Sequence, residues 1–213
     1  MGSLPTHHRE EQWRDVGMVP PEGSHHTRVY RGQEPKSLTH LEFIGDVPWS
    51  PRAEYVASSL AQALRIKLRE VIREEESGTY GVRVSARLTP FPHNQARLRV
   101  SFGADPSRID DLVEEVQTRL DSVALYGLPE IYLEKVKETQ RRAFETSRKK
   151  NGFWLEKMTR SLRYGLPLDE VLRLPEMIES LTMDEMVQLA HRLIREDHLL
   201  RVTLYPEEME NQP

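Results

Sequence analysis

The chain has 213 residues, 38% hydrophobic and 30% charged, a balance that suits a folded domain of ordinary size and argues against long disordered stretches. Its 30 Lys and Arg against 34 Asp and Glu leave a net charge of -4, so no broad cationic field exists for phosphate backbones or anionic lipid, and neither nucleic acid nor membrane is an expected partner. Cysteine is absent, which excludes disulfides, thiolate zinc ligands and cysteine nucleophiles, and no run of about 18 apolar residues is present to cross a bilayer.

Residues 1–26 mix His7, His8, His25 and His26 with Pro20, Pro21 and Gly23 and show no periodicity, the pattern of a linker or loosely docked arm. Within it Met1-Gly2-Ser3 reads as an expression scar, and Trp13, Val16 and Met18 are the residues available to pin the arm to a core. Residues 27–213 read as a single α+β domain. Two short strands are predicted near Thr27 to Tyr30 and Leu38 to Val47, bounded by Gly32 and Pro48.

Ser50-Pro51 then opens a long helix. Tyr55, Val56, Leu60, Leu64, Leu68, Val71 and Ile72 recur at steps of three and four residues, which places one apolar stripe against a core, and Gly78 ends the segment. The period next changes to two. Val82, Val84, Ala86 and Leu88 alternate with Arg83, Ser85, Arg87 and Thr89, and after Pro90-Phe91-Pro92 a second run alternates Ala96, Leu98, Val100 and Phe102 with Arg97, Arg99 and Ser101. This is an antiparallel hairpin with one buried and one polar face.

Asp105-Pro106 reads as a helix cap and first-turn pair for a helix running through Ile109, Leu112, Val113, Val116, Leu120 and Val123 to Gly127. Another helix starts at Pro129, pauses near Asn151-Gly152, resumes through Phe153, Trp154, Leu155, Met158 and Leu162, and stops at Gly165. The adjacent aromatics Phe153 and Trp154 are read as core residues. A helical turn over Leu168 to Leu174 precedes Pro175, Thr182 and Glu185 form a capping box for a further helix, and Leu199 to Tyr205 make a last strand. The fold class predicted is α+β, an antiparallel-rich sheet with helices packed on one face.

No self-contained catalytic site is legible. Neither HExxH nor HxxEH occurs; His7 and Glu10 begin the inverted motif, but Glu11 stands where its second histidine belongs. His191 and His198 lie seven apart across a helix-to-strand junction, and no phosphate loop or GxSxG elbow is present. The basic run Arg141, Arg142, Arg148, Lys149 and Lys150 lacks interleaved aromatics and reads as a solvated helix face.

One constellation stands out. Arg73 and Tyr80 flank Glu74-Glu75-Glu76-Ser77-Gly78 at the turn from the long helix into the hairpin, and three carboxylates at a helix C-terminus oppose its dipole. The local pattern leaves two readings open. Either Arg73 and Tyr80 reach a common point in a site, or Arg73 neutralises the glutamates and Tyr80 continues the buried phase of Val82 and Val84.

The stretch from Leu68 to Tyr80, LREVIREEESGTY, resembles the signature of the second half-domain in the pitrilysin and insulinase family of inverted-motif zinc peptidases. The resemblance runs from about Trp13 onward and includes Glu34-Pro35-Lys36-Ser37, Ser101-Phe102-Gly103-Ala104-Asp105-Pro106, Asn151-Gly152-Phe153-Trp154-Leu155 and Leu204-Tyr205-Pro206-Glu207. It implies a half that carries no zinc ligands and no cofactor. Zinc then belongs to an HxxEH-bearing partner half-domain, on the same polypeptide or a separate subunit, and a peptide substrate lies between the two. Arg73 and Tyr80 are implied to hold substrate or tetrahedral intermediate opposite the metal, so this chain by itself is expected to be inactive. The alternative implied by the same family is an inert scaffold or interaction domain. A bacterial source follows, with the periplasm favoured over the cytoplasm.

Overall fold

The computed structural model describes residues 14–74 and 81–210. Five strands form one sheet: β1 (His25–Tyr30), β2 (Ser37–Gly45), β3 (Val82–Thr89), β4 (Gln95–Ala104) and β5 (Leu199–Tyr205). Their order across the sheet is β1-β5-β2-β4-β3. β1 lies parallel to β5, and every other neighbour pair is antiparallel.

The six α-helices are α1 (Pro51–Glu74), α2 (Ile109–Tyr126), α3 (Glu130–Ser147), α4 (Asn151–Tyr164), α5 (Leu174–Glu179) and α6 (Met183–Leu193). Strict alternation explains how they meet the sheet. Along β2, Ser37, Thr39, Leu41 and Phe43 are buried, while Leu38 and His40 are exposed. The β3 and β4 sequences behave likewise, with Val82, Leu88, Leu98, Val100 and Phe102 buried and their intervening arginines in solvent. Among the described residues the helices therefore cover one face and leave the other open.

Val82, Leu98, Val100 and Phe102 share one hydrophobic cluster with Leu64 and Leu68 of α1 and Leu112, Val116 and Leu120 of α2, and Val84 packs against it. This is the core the two periodicities predict. Two threonines lie inside it opposite each other, Thr39 and Thr203, and satisfy their hydroxyls mutually at 3.0 Å.

Several boundaries differ from expectation. β1 begins at His25 rather than Thr27, because pairing with β5 extends it. Asp105 caps a turn instead of the helix: its Oδ1 accepts from the Ser107 amide at 2.9 Å and hydroxyl at 2.6 Å, and α2 starts after Arg108. Asn151 and Gly152 open α4 rather than interrupting a helix. Pro175 does not stop the chain's helicity, since it occupies the first turn of α5, where the missing N–H has no partner to lose.

The largest correction concerns α4. Phe153 and Trp154 are half-buried, Leu155 is 70% exposed and Leu162 73% exposed, and Ser161 alone in this helix is buried. Helical spacing gave an apolar face, but among the described residues no further layer covers it. Val16 and Met18 are likewise exposed, so they do not pin the arm. Among the described residues, Asp15 of the arm lies 2.7 Å from the His93 ring, and His25 and His26 pair with β5; Trp13 lies outside them.

Candidate functional site

The corner between α1 and β3 carries the predicted pair. Arg73 is the penultimate residue of α1, and β3 resumes at Val82 after Gly81, which takes φ +91 and has open space around it. Tyr80 and the side chain of Arg73 lie outside the described residues. Both ends of this corner are fixed by packing.

On the helical side, Ile72 is buried in the core and Glu70 faces α3. The Tyr132 hydroxyl donates to the Glu70 carboxylate, Lys135 approaches it at 3.4 Å, and Lys67 lies 5.8 Å over the Tyr132 ring. The Tyr132 hydrogen bond, aided by the lysines, holds the Glu70 carboxyl below the usual range against a smaller effect of burial. The last turns of α1 are thus tied to α3. On the strand side, Val82 is buried opposite Phe102, which fixes the phase in which β3 leaves the corner.

A cavity of about 320 Å³ lies on the helical side, walled by Tyr55, Phe144, Phe153, Val171, Leu174 and Met177. Four of its polar side chains are engaged with neighbours. The Tyr55 hydroxyl donates to Gln140 at 2.5 Å, Gln140 donates to Ser59 at 3.0 Å, and Arg160 pairs with Glu54. Burial pushes the Tyr55 phenol up. At the opposite end of the fold the Tyr205 hydroxyl donates to Asp110 at 2.8 Å, and burial together with that carboxylate pushes the phenol to about 12. These contacts brace helices and sheet.

Among the described residues no group of His, Asp and Glu is placed to hold a metal ion. His198 instead bonds the Ile44 carbonyl through Nδ1 at 2.7 Å, and His40 bonds the Ser101 hydroxyl at 2.7 Å. The three arginines of the basic run in and just beyond α3 are each paired locally. Arg141 binds Glu179 at 2.6 Å, Arg142 binds Glu138 at 2.6 Å, and Arg148 binds Glu145 at 2.8 Å.

Residues 1–140 match the family model described as the peptidase M16 inactive domain. The chain belongs to that family. Over 103 residues it is 28% identical to the probable zinc protease PqqL of Haemophilus influenzae, a match covering 48% of this chain and 11% of that protein. The fold is similar to that of the periplasmic protease PqqL of Escherichia coli, with a TM-score of 0.77 at 18% identity, over 96% of this chain and 23% of that one. It is also similar to a peptidase M16 inactive domain from Pseudomonas fluorescens, with a TM-score of 0.72 at 18% identity, covering 89% of this chain and 45% of the other. The chain therefore spans a minor part of the curated relative it matches. In that family the inactive domain pairs with an active, zinc-bearing half-domain.

Proposed function

We propose that this chain is the substrate-contacting, metal-free half-domain of a bacterial zinc metalloendopeptidase, with residues 27–213 acting as one domain. Its match to the M16 inactive domain carries the reading. The zinc of the companion half-domain supplies the Lewis acid and the activated water. This chain supplies hydrogen-bond donors on the opposite side of the peptide.

Arg73 and Tyr80 are the residues assigned that role. A guanidinium stays charged at every relevant pH and offers five N–H donors, and a phenol adds an O–H donor that carries no charge of its own. Both suit an oxygen that gains negative charge as the carbonyl becomes tetrahedral, where fixed donors lower the barrier more than they strengthen ground-state binding. The tie between α1 and α3 through Glu70 and Tyr132, and the buried Val82, support this assignment by holding both ends of the corner. The relatives named as zinc proteases, one of them periplasmic, make peptide hydrolysis in the bacterial periplasm the setting we infer.

The test is the reassembled two-half enzyme with Tyr80→Phe or Arg73→Ala. Loss of turnover with an intact fold supports the helper role. A scaffold derived from the same fold predicts unchanged turnover in both variants.

A further inference from the structure

The open face of the sheet is chemically divided. On β1 and β5 it is largely apolar, with Val29, Val202 and Leu204, whereas on β3 and β4 it carries Arg83, Arg87, Arg97 and Arg99, all exposed. Glu42 of β2 is the one carboxylate among the strand residues of this face, and it is shared by Arg99 at 2.8 Å and Arg97 at 3.6 Å. Among the described residues no carboxylate lies within ion-pairing distance of Arg83 or Arg87, so the patch is cationic on a chain whose net charge is -4.

Register gives this patch a spacing. Arg83 stands opposite Ser101, Ser85 opposite Arg99, and Arg87 opposite Arg97. Every second step along the ladder, about 7 Å, therefore presents a guanidinium: first Arg83, then Arg99, then Arg87 and Arg97 together. Two like charges directly opposite each other disfavour the pair. An incoming anion removes that repulsion.

We infer that this face binds an extended polypeptide segment bearing carboxylates on alternate residues. Such a segment repeats its same-side groups at the same ~7 Å step as the arginine rows, and each guanidinium can take a carboxylate through two N–H donors. A nucleic-acid strand fits poorly, because the four arginines are interleaved with Ser85, Ser101 and Gly103 and the strand residues of this face include no Phe, Tyr or Trp on which successive bases would stack. The inference stands apart from the role of Arg73 and Tyr80 and can hold or fail without it.

The test is fluorescence anisotropy of the 213-residue chain with a labelled peptide of alternating Glu and Thr. Saturable binding that weakens with added salt is expected, with at least a ~10-fold loss in Arg83→Glu/Arg87→Glu and a smaller loss in Arg83→Gln/Arg87→Gln. The Gln variant also guards against a folding defect, and circular dichroism checks both. Lys149→Glu/Lys150→Glu, on the helical side, should bind as the wild type does. Absence of binding, equal binding by the Arg83→Glu/Arg87→Glu chain, or equal affinity for a peptide with the same glutamates in one block would overturn the inference. So would tighter, arginine-dependent binding of single-stranded RNA or anionic vesicles.

Discussion

Arg52, in the first turn of α1, grips Glu185, in the first turn of α6, through two parallel hydrogen bonds, Nε to Oε1 at 2.8 Å and Nη2 to Oε2 at 2.6 Å. The same guanidinium donates to the carbonyls of Met177 and Ser180 at 2.9 Å each, so one side chain joins the starts of two helices and the end of α5. Glu185 is also half of the capping box with Thr182. Its carboxyl is held below the usual range, first by the Arg52 hydrogen bond and then by the Thr182 amide, with burial opposing.

Glu185→Gln should cost about 1–2 kcal/mol at neutral pH, through the weakened cap and the lost charge-assisted pair. The sign of the pH dependence follows from the depressed folded-state pKa. The contribution is complete above the unfolded carboxyl value, about 4.3, and disappears as pH falls through the lower folded value. Thermal midpoints of wild type and variant should differ at pH 7 and draw together as pH falls below about 4.3 and through the lower folded-state value. A gap that persists undiminished in acid would contradict the assignment.

Gly127, which ends α2, has φ +76, and a Cβ there would lie 2.8 Å from Cγ2 of Val187 in α6. Gly127→Ala combines an unfavourable backbone conformation with a clash in the α2–α6 contact. A loss of about 1–3 kcal/mol is expected, read from denaturant midpoints. Trimming the neighbour with Val187→Ala should recover part of the loss. An unchanged midpoint would show that the two helices separate at little cost.

The isolated chain should retain no stoichiometric zinc after dialysis and should cleave no peptide, since it contains neither HExxH nor HxxEH. Metal analysis of the tag-free protein measures the first and a quenched-fluorescence peptide library the second. One tightly held zinc per chain, or cleavage abolished by a chelator, would require a different assignment of the metal site.

Much of this architecture was legible from local pattern. The hairpin, the Thr182–Glu185 capping box and the Leu199–Tyr205 strand appear where alternation and cap chemistry put them. The misreadings have a common origin in tertiary context. Helical spacing in α4 marks an apolar face but does not say whether another layer covers it, and Leu155 and Leu162 are left in solvent. Asp105 has the residue type of a helix cap, yet its carboxylate is taken by Ser107. Alternation identified the arginines of β3 and β4 as a polar face, but which arginine stands opposite which depends on the register set across the hairpin. For the candidate site, the sequence supplies the residue types, and the role proposed for them rests on resemblance alone; Tyr80 and the Arg73 side chain lie outside the described residues.

The most direct test of the helper role is turnover by the reassembled enzyme carrying Tyr80→Phe, with folding of this half-domain measured in the same preparation. Removing a preorganised donor to a developing oxyanion typically lowers kcat by roughly 10²–10³, and the predicted result is a loss of that order with an unchanged unfolding midpoint. Arg73→Ala should lose as much or more. Unchanged turnover per folded molecule, with Tyr80→Phe instead unfolding the domain, would contradict the account and return Tyr80 to the buried phase of Val82 and Val84.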